Sequence, residues 1–145
     1  MLGPTSPVSH LFDAAGWQKQ ERCEPSQKAV TAPELAKSVI VEFGGLQVGS
    51  TGADKEQAAS NVHFYPVARP EVSIVVEAWR SQFGQLCAVA TAHNEHIIIF
   101  VGGGGKYYAF TDPDEQLYSI GQTFGEAMER LLLGLSFGSP IGRDA

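Results

Sequence analysis

Residues 42–48, Glu42-Phe43-Gly44-Gly45-Leu46-Gln47-Val48, change hydrophobic period within two positions, from helical to extended. Upstream, Leu35, Ala36, Val39, Ile40 and Phe43 recur at three- and four-residue spacing. That spacing sets them on one side of a helix and leaves Lys37, Ser38 and Glu42 largely off it. Thr31-Ala32-Pro33-Glu34 supplies the start. The Thr31 hydroxyl can accept from the Glu34 N–H while the carboxylate reaches back, and the acid suits the positive end of the helix. Gly44 and Gly45 supply the stop, because helices commonly end with a residue at positive φ, where glycine has no Cβ to clash. Leu46 and Val48 then alternate as a strand.

Before this elbow, Met1 to Thr5 read as a loose terminus, and a short helix is expected from Ser6-Pro7 to Gly16, with Val8, Leu11, Phe12 and Ala15 on its apolar side. Trp17 follows as a packing anchor, and the polar residues 18–30 form a connector. After the elbow, residues 49–61 read as a surface loop or short frayed helix, and Val62-His63-Phe64-Tyr65 as a brief strand that Pro66 confines to an edge or an end. Val72, Val75, Val76, Trp79 and Phe83 repeat at helical spacing between Pro70 and Gly84, which predicts one helix there.

Beyond Gly84 the pattern turns to strands over 86–89, 96–101, 106–110 and 116–120. Ile97-Ile98-Ile99-Phe100-Val101 is apolar on both faces, which predicts a central strand covered on both sides. Gly102 to Gly105 and Thr111-Asp112-Pro113-Asp114 are turn chemistry between neighbours, which favours an antiparallel meander. A last helix opens at Thr123 with Glu126 completing a capping box, buries Phe124, Ala127, Met128, Leu131 and Leu132, and ends at Gly134. The sum is an α+β protein of one domain over 1–145, a mostly antiparallel β-sheet with helices packed against it, with its core over about 8–134 and loose ends at 1–5 and 135–145.

Composition narrows the partners. A chain of 145 residues can bury about 70% of its unfolded surface without metal or disulfide staples. Its 43% hydrophobic content is ordinary, whereas 18% charged is low and leaves surface suited to contact. A net charge of −6 disfavours nucleic acid and anionic membrane and favours a basic protein or a small molecule. Cys23 and Cys87 are far apart and have no metal-ligand spacing, so two reduced thiols are expected. No secretory signal opens the chain, and no run approaches the about 18 apolar residues of a membrane span, which is consistent with a cytoplasmic protein.

No catalytic constellation is legible. Gly102-Gly103-Gly104-Gly105-Lys106 lacks the phosphate-loop pattern, which wants glycine where Phe100 stands and Ser or Thr where Tyr107 stands. His93 and His96 enter a strand three residues apart and point to opposite faces, and no third ligand clusters with them, so neither a metal nor another cofactor is expected. Neither Ser50 nor Ser60 sits in a nucleophile elbow, so the protein is read as a non-enzyme.

Ala15-Gly16-Trp17, then Glu42-Phe43-Gly44-Gly45-Leu46, then Gly121-Gln122-Thr123-Phe124-Gly125-Glu126-Ala127 through Leu131-Leu132-Leu133-Gly134 resemble the SUKH superfamily, specifically its third subgroup, over about residues 8–134. Two features depart from the members' usual pattern. Gln20, Glu21 and Arg22 stand where a Gly-Arg pair is common, and four glycines fill a turn that commonly has one. The resemblance implies a bacterial immunity protein that binds and silences a cognate toxin of a polymorphic toxin system, the linked toxins including nucleases and nucleic-acid deaminases. A regulatory scaffold or small-ligand-binding module is the alternative, because function is not readable from fold.

For toxin binding, Asp112, Asp114 and Glu115 put three carboxylates in four residues at a turn tip, suited to the Lys and Arg of a nucleic-acid cleft. Tyr107, Tyr108 and Tyr118 lie in adjacent strands, and at least one should face outward as an anchor. Trp17 and Trp79 are expected in the core.

Overall fold

The computed structural model describes residues 32–48, 61–92, 96–111, 116–133 and Ile141. The expected helix at 6–16, Trp17, the connector 18–30, the Thr31 cap, the loop 49–60 and the Gly134 stop lie outside the described residues.

Helix α1 (Ala32–Phe43) ends at the glycine pair. The Gly44 amide donates to the Ile40 carbonyl (2.7 Å) and the Leu46 amide to the Phe43 carbonyl (3.0 Å), with Gly45 at φ 88. The same turn is tied to the sheet. The Gly45 amide donates to the Phe64 carbonyl (2.8 Å), and the Phe64 amide donates to the Leu46 carbonyl (3.0 Å). The chain thereby passes from α1 into β1 (Gln47–Val48), which pairs antiparallel with β2 (Val62–Phe64). Strand β2 stops before Pro66 and runs inside the sheet, so the proline marks an end and not an edge.

Four longer strands follow, β3 (Leu86–Ala92), β4 (Ile97–Gly102), β5 (Tyr107–Thr111) and β6 (Gln116–Gly121). All neighbours are antiparallel, and the spatial order of the six strands is their chain order, an uninterrupted meander. Between β2 and β3 lie α2 (Pro70–Ala78) and α3 (Arg80–Phe83), and α4 (Phe124–Leu133) follows β6. Among the described residues the architecture is therefore α+β, six strands and four helices in three layers.

Strand β4 shows why both faces are covered. Its side chains alternate, with Ile99 and Val101 joining the cluster under α1 and α4, and Ile98 and Phe100 joining the cluster under α2 and α3. On the first face Phe43 stacks on Phe124 at 4.8 Å and meets Phe64 at 5.3 Å, so α1, α4 and β2 share one aromatic contact. Fully burying one such side chain stabilises by about 1.5–3 kcal/mol. Helix α4 buries Phe124, Ala127, Met128, Leu131 and Leu132, the five residues its spacing predicts. Its start is held by the Glu126 amide, which donates to Thr123 Oγ1 at 3.2 Å. Gly121 lets α4 approach the sheet, since a Cβ there would lie 2.6 Å from the Ala127 nitrogen.

Two expectations are corrected. The single helix predicted between Pro70 and Gly84 is broken at Trp79, which sits at φ −110 and ψ 10. Trp79 is 2% exposed in the second cluster, its indole edge-on to Phe110 at 6.4 Å. The Gln82 and Phe83 amides converge on its carbonyl to start the next turn (3.1 and 3.0 Å). Strand β3 runs past Val89 to Ala92, because a bulge inserts Val89 between the pairs Ala88–Phe100 and Ala90–Ile99. Val89 and Ala90 then both face α1 and α4, which erases the alternation by which a strand is recognised.

Candidate functional site

The strand register assembles one end of the sheet. Val48 pairs with Val62, Val62 with Ala92, Ala92 with Ile97, Ile97 with Thr111, and Thr111 with Gln116, so these six residues form a row across all six strands. The chain leaves and re-enters the sheet along this row through 49–61, 93–96 and 112–115. These links contain Asp54, Glu56, Glu95, Asp112, Asp114 and Glu115 against a single cation, Lys55. Six carboxylates less one ammonium make −5 of the chain's −6, with histidines neutral. The turns at the opposite end are Gly44-Gly45, Gly103–Gly105 and Gly121-Gln122, with Lys106 beside them.

Asp112, Asp114 and Glu115 themselves lie outside the described residues, but the base of their link is defined. Thr111 Oγ1 donates to the Gln116 carbonyl at 3.3 Å across the pair that opens the β5–β6 hairpin. Of the three tyrosines, two are packing residues. Tyr107 is 3% exposed, on the α1 and α4 side, 5.7 Å from Phe124, and burial pushes its phenol far above the ordinary range. Tyr108 is 5% exposed on the other face, its ring tilted against Phe83 at 4.8 Å, and burial raises its pKa as well. Tyr118 is half-buried on β6, opposite Ala109, and packs against the cluster under α1 and α4.

The remaining candidates form no catalytic or ligand-binding arrangement among the described residues. The Gly103–Gly105 turn joins two antiparallel strands, with the Gly102 amide donating to the Lys106 carbonyl at 2.8 Å, whereas a phosphate loop joins a strand to a helix. His96 is exposed in a turn, and His93 lies outside the described residues. No group of three His, Cys, Asp or Glu residues forms a metal-binding set among the described residues. Cys87 is a free, half-buried thiol whose pKa burial raises, the direction of an unreactive cysteine, and Cys23 is outside the described residues. No helix among the described residues is long and apolar enough to cross a membrane.

A family model for SUKH-3 immunity proteins matches residues 5–134. The chain belongs to the SUKH-3 immunity protein family. No curated protein and no solved structure matches it significantly. The SUKH-3 match takes in α1, the whole six-stranded sheet and α4, and so includes the acidic row end. Membership assigns the chain to toxin immunity and its partner to a cognate toxin protein. Sequence reasoning singled out Asp112, Asp114 and Glu115 and did not weigh Asp54, Glu56 or Glu95 beside them. Asp54, Glu56 and Glu95 are ordinary loop residues until strand register brings their links to the same end.

Proposed function

We propose that this SUKH-3 protein neutralises a nuclease or nucleic-acid deaminase toxin by binding it one to one and covering its substrate cleft. What supports this reading is the strand register, which anchors three acid-rich links along one row at one end of the sheet. A cleft that holds a polyanionic substrate is lined by Lys and Arg, because phosphate contacts dominate nucleic-acid affinity. An inhibitor that covers such a cleft presents the opposite charge, which speeds encounter and disfavours wrong partners. Asp112, Asp114 and Glu115 supply that charge from the β5–β6 link, and Tyr118, at the adjoining edge, supplies apolar contact. The chain acts in the cytoplasm as a stoichiometric binder and not as a catalyst, and it recruits no cofactor.

The test is co-expression with the toxin domain encoded beside it, reading cell survival and co-purification together. Survival with a one-to-one complex is the expected result. Continued killing, with both proteins folded and no complex recovered, would exclude that toxin as the target and remove the basis of the occlusion reading.

A further inference from the structure

Among the described residues the six-stranded meander has two edge strands, and they differ. Strand β1 is two residues long, whereas β6 spans six, Gln116–Gly121. An exposed strand of that length offers its unpaired amides and carbonyls to any other strand, and natural edges are guarded by Lys, Pro or covering chain. The sequence of β6, Gln-Leu-Tyr-Ser-Ile-Gly, contains no charge and no proline. The covering chain is instead supplied from further along. Ile141 forms an antiparallel bridge with Leu117, its amide donating to the Leu117 carbonyl at 2.7 Å. Its side chain packs against the same cluster that contains Leu117, which is fully buried. Ile141 lies beyond the SUKH-3 match, which ends at residue 134.

We propose that the Ile141 bridge is a built-in cap on the β6 edge, holding the position where a second copy of this chain would add its own β6. Two β6 strands meeting antiparallel about a two-fold axis place the same residues opposite one another, the self-complementary arrangement that closed dimers use. The cap keeps that edge closed. The inference does not rest on the toxin reading.

The test is sedimentation velocity over a concentration series with Ile141→Pro, which removes the donating amide and keeps an apolar ring, and Ile141→Ala, which keeps the amide. Ile141→Pro is expected to self-associate at least about tenfold more tightly than the unmodified protein, the effect of about one backbone hydrogen bond on a competing strand. Ile141→Ala is expected to stay at the unmodified mass. Adding Ser119→Lys, at an exposed position of β6, sets like charges on both copies and is expected to return Ile141→Pro to a monomer. Unchanged association of Ile141→Pro, equal association of both variants, or indifference to Ser119→Lys would each overturn the proposal. Should Ile141→Pro fail to fold, hydrogen exchange in the unmodified chain decides. The Ile141 amide should exchange at least about tenfold slower than a free amide, and an unprotected amide refutes the cap.

Discussion

Thr91 is the one buried polar residue among the described residues, 1% exposed, and its Oγ1 has no hydrogen-bond partner. A hydroxyl in that state costs about 1–3 kcal/mol of desolvation. Thr91→Val keeps the β-branched shape and removes the hydroxyl, so the urea midpoint should rise by an amount worth about 1 kcal/mol. A midpoint that falls would mean the hydroxyl has a partner. Gly45 gives the opposite case. Its φ of 88 suits glycine and strains any side chain, so Gly45→Ala should cost about 1 kcal/mol despite open space around it. Gly103 also has open space but carries no positive φ, and Gly103→Ala should be close to neutral in the same unfolding experiment.

Tyr107 couples stability to alkaline pH. Burial raises its folded pKa above the ordinary 10.0, so the folded protein keeps a proton that the unfolded chain releases. The resulting stabilisation is fully present below the unfolded pKa and is lost as pH rises toward the folded one. Urea stability should therefore fall as pH rises above about 10, and Tyr107→Phe should flatten that slope, read by far-UV circular dichroism. An identical slope in the variant would assign the dependence elsewhere. The burial of Tyr107 and Tyr108 was not legible in their spacing. Alternation sends them to opposite faces, and in a sheet open on one side one of them would be exposed. Here helices cover both faces.

At the scale of elements, legibility followed how fully the apolar pattern reports packing. Helices α1 and α4 each bury one stripe, and the residues at three- and four-residue spacing are the ones that pack. The break between α2 and α3 was hidden because Val75, Trp79 and Phe83 keep helical spacing across it. The bulge in β3 hid for the converse reason, since it puts two consecutive residues on one face. Ile141 offers a single bridged residue, too short for any period to register. The start of α4 provides a direct check. Thr123→Ala removes the acceptor for the Glu126 amide and should destabilise the protein by about 1 kcal/mol, whereas Thr123→Ser should retain most of it. Equal losses in the two variants would show that the cap contributes nothing.

For the whole molecule, the meander and the helices on its faces follow from residue pattern, because every connection joins neighbours in space. The acidic end does not follow in the same way. Each link read alone is turn chemistry, and only the pairing of Val48 through Gln116 across six strands shows that three acidic links leave the sheet together. That end is where the toxin is expected to dock, and the rate of docking is the quantity its charge governs. The measurement that tests this most directly is stopped-flow association with the cognate toxin, comparing the unmodified protein with Asp112→Lys/Asp114→Lys at low and high salt. The double variant should associate about tenfold more slowly at low salt, with the difference closing toward 1 M, where the Debye length is about 3 Å. Equal association rates at low salt, with the complex still formed, would contradict the account and move the interface away from the acidic end.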